Sequence, residues 1–135
     1  MRAIVKLAIS AVLALVLPAV AVAQLEDIKK STPEQRAQMQ DEWMQSNLSL
    51  DEKTSASVSA INLKYAKETQ ALAAAPGPNF KKLMTFRGNA QAKDAELKGI
   101  LTPEQYSTYE QKKSEMEAQV KQKLQEKHQA AQSSS

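Results

Sequence analysis

One histidine and no cysteine stand in a chain of 135 residues. Disulfides, thiolate metal sites and cysteine nucleophiles are therefore excluded. A serine nucleophile needs a histidine held beside it and a carboxylate to orient that ring. His128 borders a polar stretch, 129–135, with no apolar pattern, so no such set can be assembled around it. A transition-metal site needs several His or Cys ligands, or a tight carboxylate cluster. Asp41 and Glu42 are neighbours on a helix and point apart. The other carboxylates alternate with lysine and glutamine, as ion-paired, solvated helix faces do. No glycine-rich phosphate loop is present. No enzyme activity, cofactor or metal is expected.

Surface recognition is the chemistry that remains. Methionine is flexible and polarizable, and suits surfaces that accept varied partners. Met39, Trp43, Met44, Phe80, Met84 and Arg87 are the candidate client-binding residues. Lys64, Lys67, Lys81 and Lys82 would rim the same patch. Lysine would attract acidic segments while methionine touches apolar ones. Each of these apolar residues, taken singly, also reads as core. Apolar stripes this narrow would gain from pairing two chains, so a homodimer is expected.

The elements that must carry these residues are helices. Glycine numbers 3 and aromatics make up 4%, too few for a β-rich fold. The expected fold is all-α, with four helices in a bent, extended helical hairpin arrangement. Thr32 caps the first, Pro33 starts it and Gln35 completes a capping box; it is expected to run to about Asn47. The second is expected to start near Ser49, with Glu52 reaching back. Val58, Ile61, Tyr65 and Leu72 form its apolar stripe. Pro76-Gly77-Pro78 must end it. The third covers roughly 79–98, with Gly99 placed to close it. The fourth starts at Leu101, Thr102, Pro103 and Gln105, where Thr102 caps, Gln105 reaches back and Leu101 can pack on Tyr106. Tyr106, Tyr109, Lys113, Met116, Val120 and Leu124 then follow helical spacing. Thr-Pro-Glu-Gln occurs at 32–35 and again at 102–105. It reads either as a repeated pair of hairpins or as one good helix start used twice.

Residues 1–23 read as a cleavable signal peptide. Arg2 and Lys6 precede an apolar run over 7–17, and Ala21-Val22-Ala23 gives a small-x-small cleavage pattern. The domains expected are this leader, a helical domain over 24–128, and a disordered tail over 129–135. The chain carries 18 Lys+Arg against 15 Asp+Glu. Two of those basic residues lie in the leader, which leaves sixteen against fifteen. No dense basic patch remains for nucleic acid. No later stretch is apolar enough to insert in a membrane.

Leu101-Thr102-Pro103-Glu104-Gln105 resembles the LTxxQ motif of the Spy/CpxP family of periplasmic proteins. The family's second copy would fall near 47–53, where only a leucine and a capping hydroxyl persist. The stretch 55–67 is also similar to small exported helical proteins of this kind. The resemblance implies a periplasmic location and a bent hairpin that pairs into a cradle-shaped dimer. It implies an ATP-independent chaperone or envelope-stress adaptor that binds unfolded or misfolded periplasmic proteins. An alternative is a regulatory ligand of a sensor-kinase periplasmic domain. A metal-binding sensor is a further possibility that some relatives raise.

Overall fold

The computed structural model describes residues 28–135, and the leader assigned to 1–23 lies outside them. Four helices account for nearly all of that span: α1 Pro33–Leu48, α2 Glu52–Ala74, α3 Asn79–Ile100 and α4 Pro103–Ser133. The fold is all-α. Helix α2 packs against both α1 and α3, and α4 lies along α1, whereas α3 and α4 touch little.

Two of the four starts are the capping boxes that the Thr-Pro-Glu-Gln motif dictates. Gln35 N donates to Thr32 Oγ1 over 3.1 Å, and Thr32 N donates to Gln35 Oε1 over 3.0 Å. The same pair recurs between Gln105 and Thr102, at 3.2 and 3.0 Å. Each box satisfies two amides that helix geometry leaves without intrahelical partners.

The start of α2 differs from expectation. Asp51, not Ser49, is its cap, and Asp51 Oδ1 accepts from Thr54 N over 2.7 Å. That bond pulls the Asp51 carboxyl below its ordinary range. Ser49 instead ends α1 in the left-handed conformation, with φ of 51°. Three residues, 49–51, join the two helices; the left-handed backbone at Ser49 ends the first and the Asp51 carboxylate caps the second. Gly77, at φ 120°, supplies the positive φ that the turn between two prolines requires. Gly99 does not close α3, which continues through Ile100 to a cap at Leu101.

The expected disordered tail, 129–135, is also not what the structure shows. Helix α4 continues through Ser133. Ala130 and Ala131 are strong helix formers. The hydroxyls of Ser133 and Ser134 donate to the Ala130 carbonyl, and that of Ser135 to the Ala131 carbonyl.

The core draws on every helix. Met39, Trp43, Met44 and Leu48 of α1 meet Val58 of α2, Leu97 of α3, and Tyr109, Met116 and Val120 of α4, with Leu101 at the turn. Leu50, Ile61, Tyr106 and Leu124 pack on its margin. Leu101 and Tyr106 thus both belong to the apolar cluster that a hydrophobic staple would anchor. Two buried polar atoms, Trp43 Nε1 and Asn62 Oδ1, make no hydrogen bond among the described residues. Asn62 is held through its nitrogen, which donates to Asp41 Oδ1 over 2.7 Å.

Replacing Thr102 by Ala removes one box and should cost about 1 kcal/mol. Urea unfolding should show a lower midpoint with an unchanged slope. An unchanged midpoint would show that the Thr102 box carries no stability.

Candidate functional site

The six candidate client-binding residues divide into two groups. Met39, Trp43 and Met44 are not on a surface: all three are buried, Met44 completely at 0% exposure. This corrects the expectation of an exposed Trp–Met patch. Positions 39, 43 and 44 point towards α2 and α4 together, because α1 lies between them. Phe80 and Met84 are the reverse, 72% and 51% exposed, and Arg87 is exposed beside them. Spacings of four and three place Phe80, Met84 and Arg87 along one face of α3. Of the proposed basic rim, Lys64 is engaged in an ion pair with Glu96 at 2.8 Å. Leu101, Thr102 and Gln105 build the turn and cap of α4, and Gln105 Nε2 also reaches the Ser49 carbonyl at 3.5 Å.

A polar cluster between α1, α3 and α4 is not legible from residue spacing. Asp94 lies at its edge. It accepts from the Tyr109 hydroxyl over 2.9 Å and from Lys113 Nζ over 2.7 Å. Burial, together with the Asp94 charge, pushes the Tyr109 phenol well above its usual range. This hydroxyl therefore stays protonated and acts as a fixed donor.

Two further cations, Arg36 and Lys93, line the same region. The Arg36 guanidinium is buried, which lowers its pKa. Its Nη1 faces the Ile28 and Ser31 carbonyls and Ser31 Oγ, at 3.0, 2.9 and 2.8 Å. Its Nη2 reaches the Ala66 carbonyl and Gln70 Oε1, at 3.3 and 2.9 Å. Arg36 therefore ties the chain before α1 to the middle of α2 through neutral acceptors. Lys93 differs. Its side chain is half-buried, and Nζ donates over 2.8 Å to Gln40 Oε1, a neutral amide. Burial drives its pKa down to about 8, against the opposing pull of Asp94, Glu117 and Asp41.

Beside Lys93 opens a cavity of about 180 Å³. Arg36, Tyr65, Phe86, Tyr109, Lys113 and Met116 are among its walls. It shares Ile28, Arg36, Gln40, Phe86 and Glu117 with a larger open groove of about 730 Å³. That groove lies where α3 and α4 part, and Val120, Leu124 and His128 line its α4 side. His128 also pairs with the Gln132 amide at 3.0 Å. Among the described residues no group of His, Cys, Asp and Glu could hold a metal ion. No described helix is long and apolar enough to cross a membrane.

Below about pH 8 the folded and unfolded chains both carry the charged Lys93 amine, and the folded chain bears its full burial cost. Between that pH and the ordinary lysine value of about 10.4, the unfolded chain binds the extra proton, so stability rises with pH. Lys93→Met should therefore be more stable than the parent by about 2 kcal/mol at neutral pH. That figure is the removed charge penalty less the lost Gln40 hydrogen bond. The advantage should shrink as the solution is made alkaline. Urea unfolding of both proteins across that range checks it, and a less stable Lys93→Met at neutral pH would contradict it.

A family model described as a domain of unknown function, DUF4890, matches residues 23–109. The match takes in Arg36, Lys93, Asp94 and Tyr109 and stops in the second turn of α4. No curated protein and no solved structure shows significant similarity to the chain. With more than half of its length matched, the chain belongs to the DUF4890 family.

Proposed function

We propose that this protein is a periplasmic, ATP-independent chaperone or envelope-stress adaptor of the Spy/CpxP kind, which holds non-native polypeptide on an amphiphilic helical surface. The observation that carries this reading is the first half of α3. From Asn79 to Ala92 it contains Lys81, Lys82 and Arg87 and no acidic residue. Phe80 and Met84 stand exposed on that same stretch. Large apolar side chains held together in water cost solubility, which the neighbouring positive charge offsets, and such patches mark interaction sites.

Such a surface holds a client loosely. Apolar contact gives affinity without demanding a sequence, and the three basic groups favour acidic segments. The leader-like segment 1–23 and the LTxxQ resemblance at Leu101, Thr102 and Gln105 support an envelope setting. The client surface differs from the one that residue types pointed to. Phe80, Met84 and Arg87 remain in it, and Met39, Trp43 and Met44 leave it.

The purified protein, without nucleotide, should slow aggregation of an unrelated denatured protein at several-fold molar excess. The double variant Phe80→Ser/Met84→Ser should lose most of that effect and keep its unfolding midpoint, because both side chains are exposed. No slowing by the parent protein would overturn the proposal. A pull-down from envelope extract separates the two roles. A broad set of clients supports chaperoning, and one stoichiometric membrane partner supports a regulatory ligand of a sensor domain instead.

A further inference from the structure

Lys93 is a half-buried cation on the wall of the cavity, with one hydrogen bond to protein. An ammonium group has three donors. Among the described residues its hydrogen bond goes to Gln40 Oε1, and no carboxylate pairs with it directly. The nearby charged groups are mostly committed elsewhere. From α1, Asp41 is engaged by Asn62, and Arg36 spends its donors on neutral oxygens. On α3 itself, Asp94 is taken by Tyr109 and Lys113, both of α4. Tyr65 of α2 is a neutral wall, its phenol raised by burial. Glu117 of α4 is exposed, and water screens it. Among the groups lining the cavity, Arg36, Lys93 and Lys113 stand against Asp94 and Glu117. Asp41, outside the lining but within electrostatic reach of Lys93, brings the acidic groups to three against these three basic ones, and Lys93 is the cation whose single hydrogen bond to protein goes to a neutral amide.

We propose that the cavity beside Lys93 binds a small monocarboxylate carrying a short apolar chain. The head would accept from Lys93 Nζ. The chain would lie against Tyr65, Phe86, Ala90 and Met116, whose surfaces give the cavity its apolar walls. Its volume of about 180 Å³ equals that of about six liquid waters, room for a chain of roughly four to six carbons. A phosphate dianion suits the site poorly, because it would bring two charges to one cation. This site does not depend on the chaperone reading, since neither Phe80 nor Met84 lines it.

Hexanoate is the probe, followed by the amide chemical shifts of Ala66, Ala90 and Lys93. The expected result is saturable binding centred on these residues, with hexanamide at least about tenfold weaker because it lacks the charge. Lys93→Met and Lys93→Gln should each abolish the response, and the second variant keeps a polar side chain should the first repack the cavity. Affinity for the parent protein should fall on the order of tenfold between about pH 7 and about pH 9.5, as the amine loses its proton. Absence of saturation at about 50 mM hexanoate, or equal affinity in the Lys93 variants, would overturn the assignment.

Discussion

Asp94 is where the last helix is fastened to the one before it. Its two oxygens take the Tyr109 hydroxyl and the Lys113 ammonium, one turn apart on α4. Charge-assisted bonds of this type are worth about 1.5–3 kcal/mol when partly buried. Towards the Leu101 turn, Leu97, Leu101 and Tyr109 seal the helices into the core. In the other direction α3 stays with α2 while α4 follows α1, and the two separate. The cavity and the groove are the space that this divergence opens. Their position follows from a clasp placed near one end of both helices.

Few large apolar residues are available to fill such a frame, and the structure concentrates them. Met39, Met44 and Met116 lie in the centre, where an unbranched side chain can fill gaps between helices of unequal length. Helix α4 has 31 residues and α1 has 16, so the far half of α4 extends past what α1 can cover. Val120 and Leu124 carry the apolar stripe into that half and then it stops. The beginning of α3 is in a similar position, packed on α2 from one side only. Phe80 and Met84 are exposed because nothing else in the fold reaches them.

The helix starts were legible because capping is local. Thr32 with Gln35 and Thr102 with Gln105 need nothing beyond three residues of sequence to form their boxes. Ser49 misled because Asp51 competes two residues later, and the tighter turn leaves room for only one of them as a cap. The burial of Trp43 and Met44 was ambiguous for a different reason. A short helix covered on two sides buries a wider stripe than one covered on one side, and α1 is covered by both α2 and α4. Phe80 and Met84 also read singly as core, and they stand exposed because prolines at 76 and 78 start α3 beyond the reach of the core. The cluster of Arg36, Lys93 and Asp94 left no mark in the sequence. Lysine and arginine on a helix face water by default, and only the distance between partners in three dimensions brings them inside.

Arg36 and Lys93 pose the same problem and meet it in opposite ways. Each is a cation removed from water, a costly placement unless hydrogen bonds replace the lost hydration. The guanidinium is planar and presents its donors in a rigid fork. Arg36 uses that fork to collect Ser31, Ala66 and Gln70 around one group, and the chain before α1 is positioned by it. Five acceptors surround its two terminal nitrogens. The Lys93 ammonium sits opposite with one amide oxygen, next to open space. A fold seeking stability alone would place an apolar residue there, since the walls are already Phe86, Ala90 and Met116. The charge instead stands on the wall of a cavity with apolar sides, the arrangement that the proposed carboxylate would use.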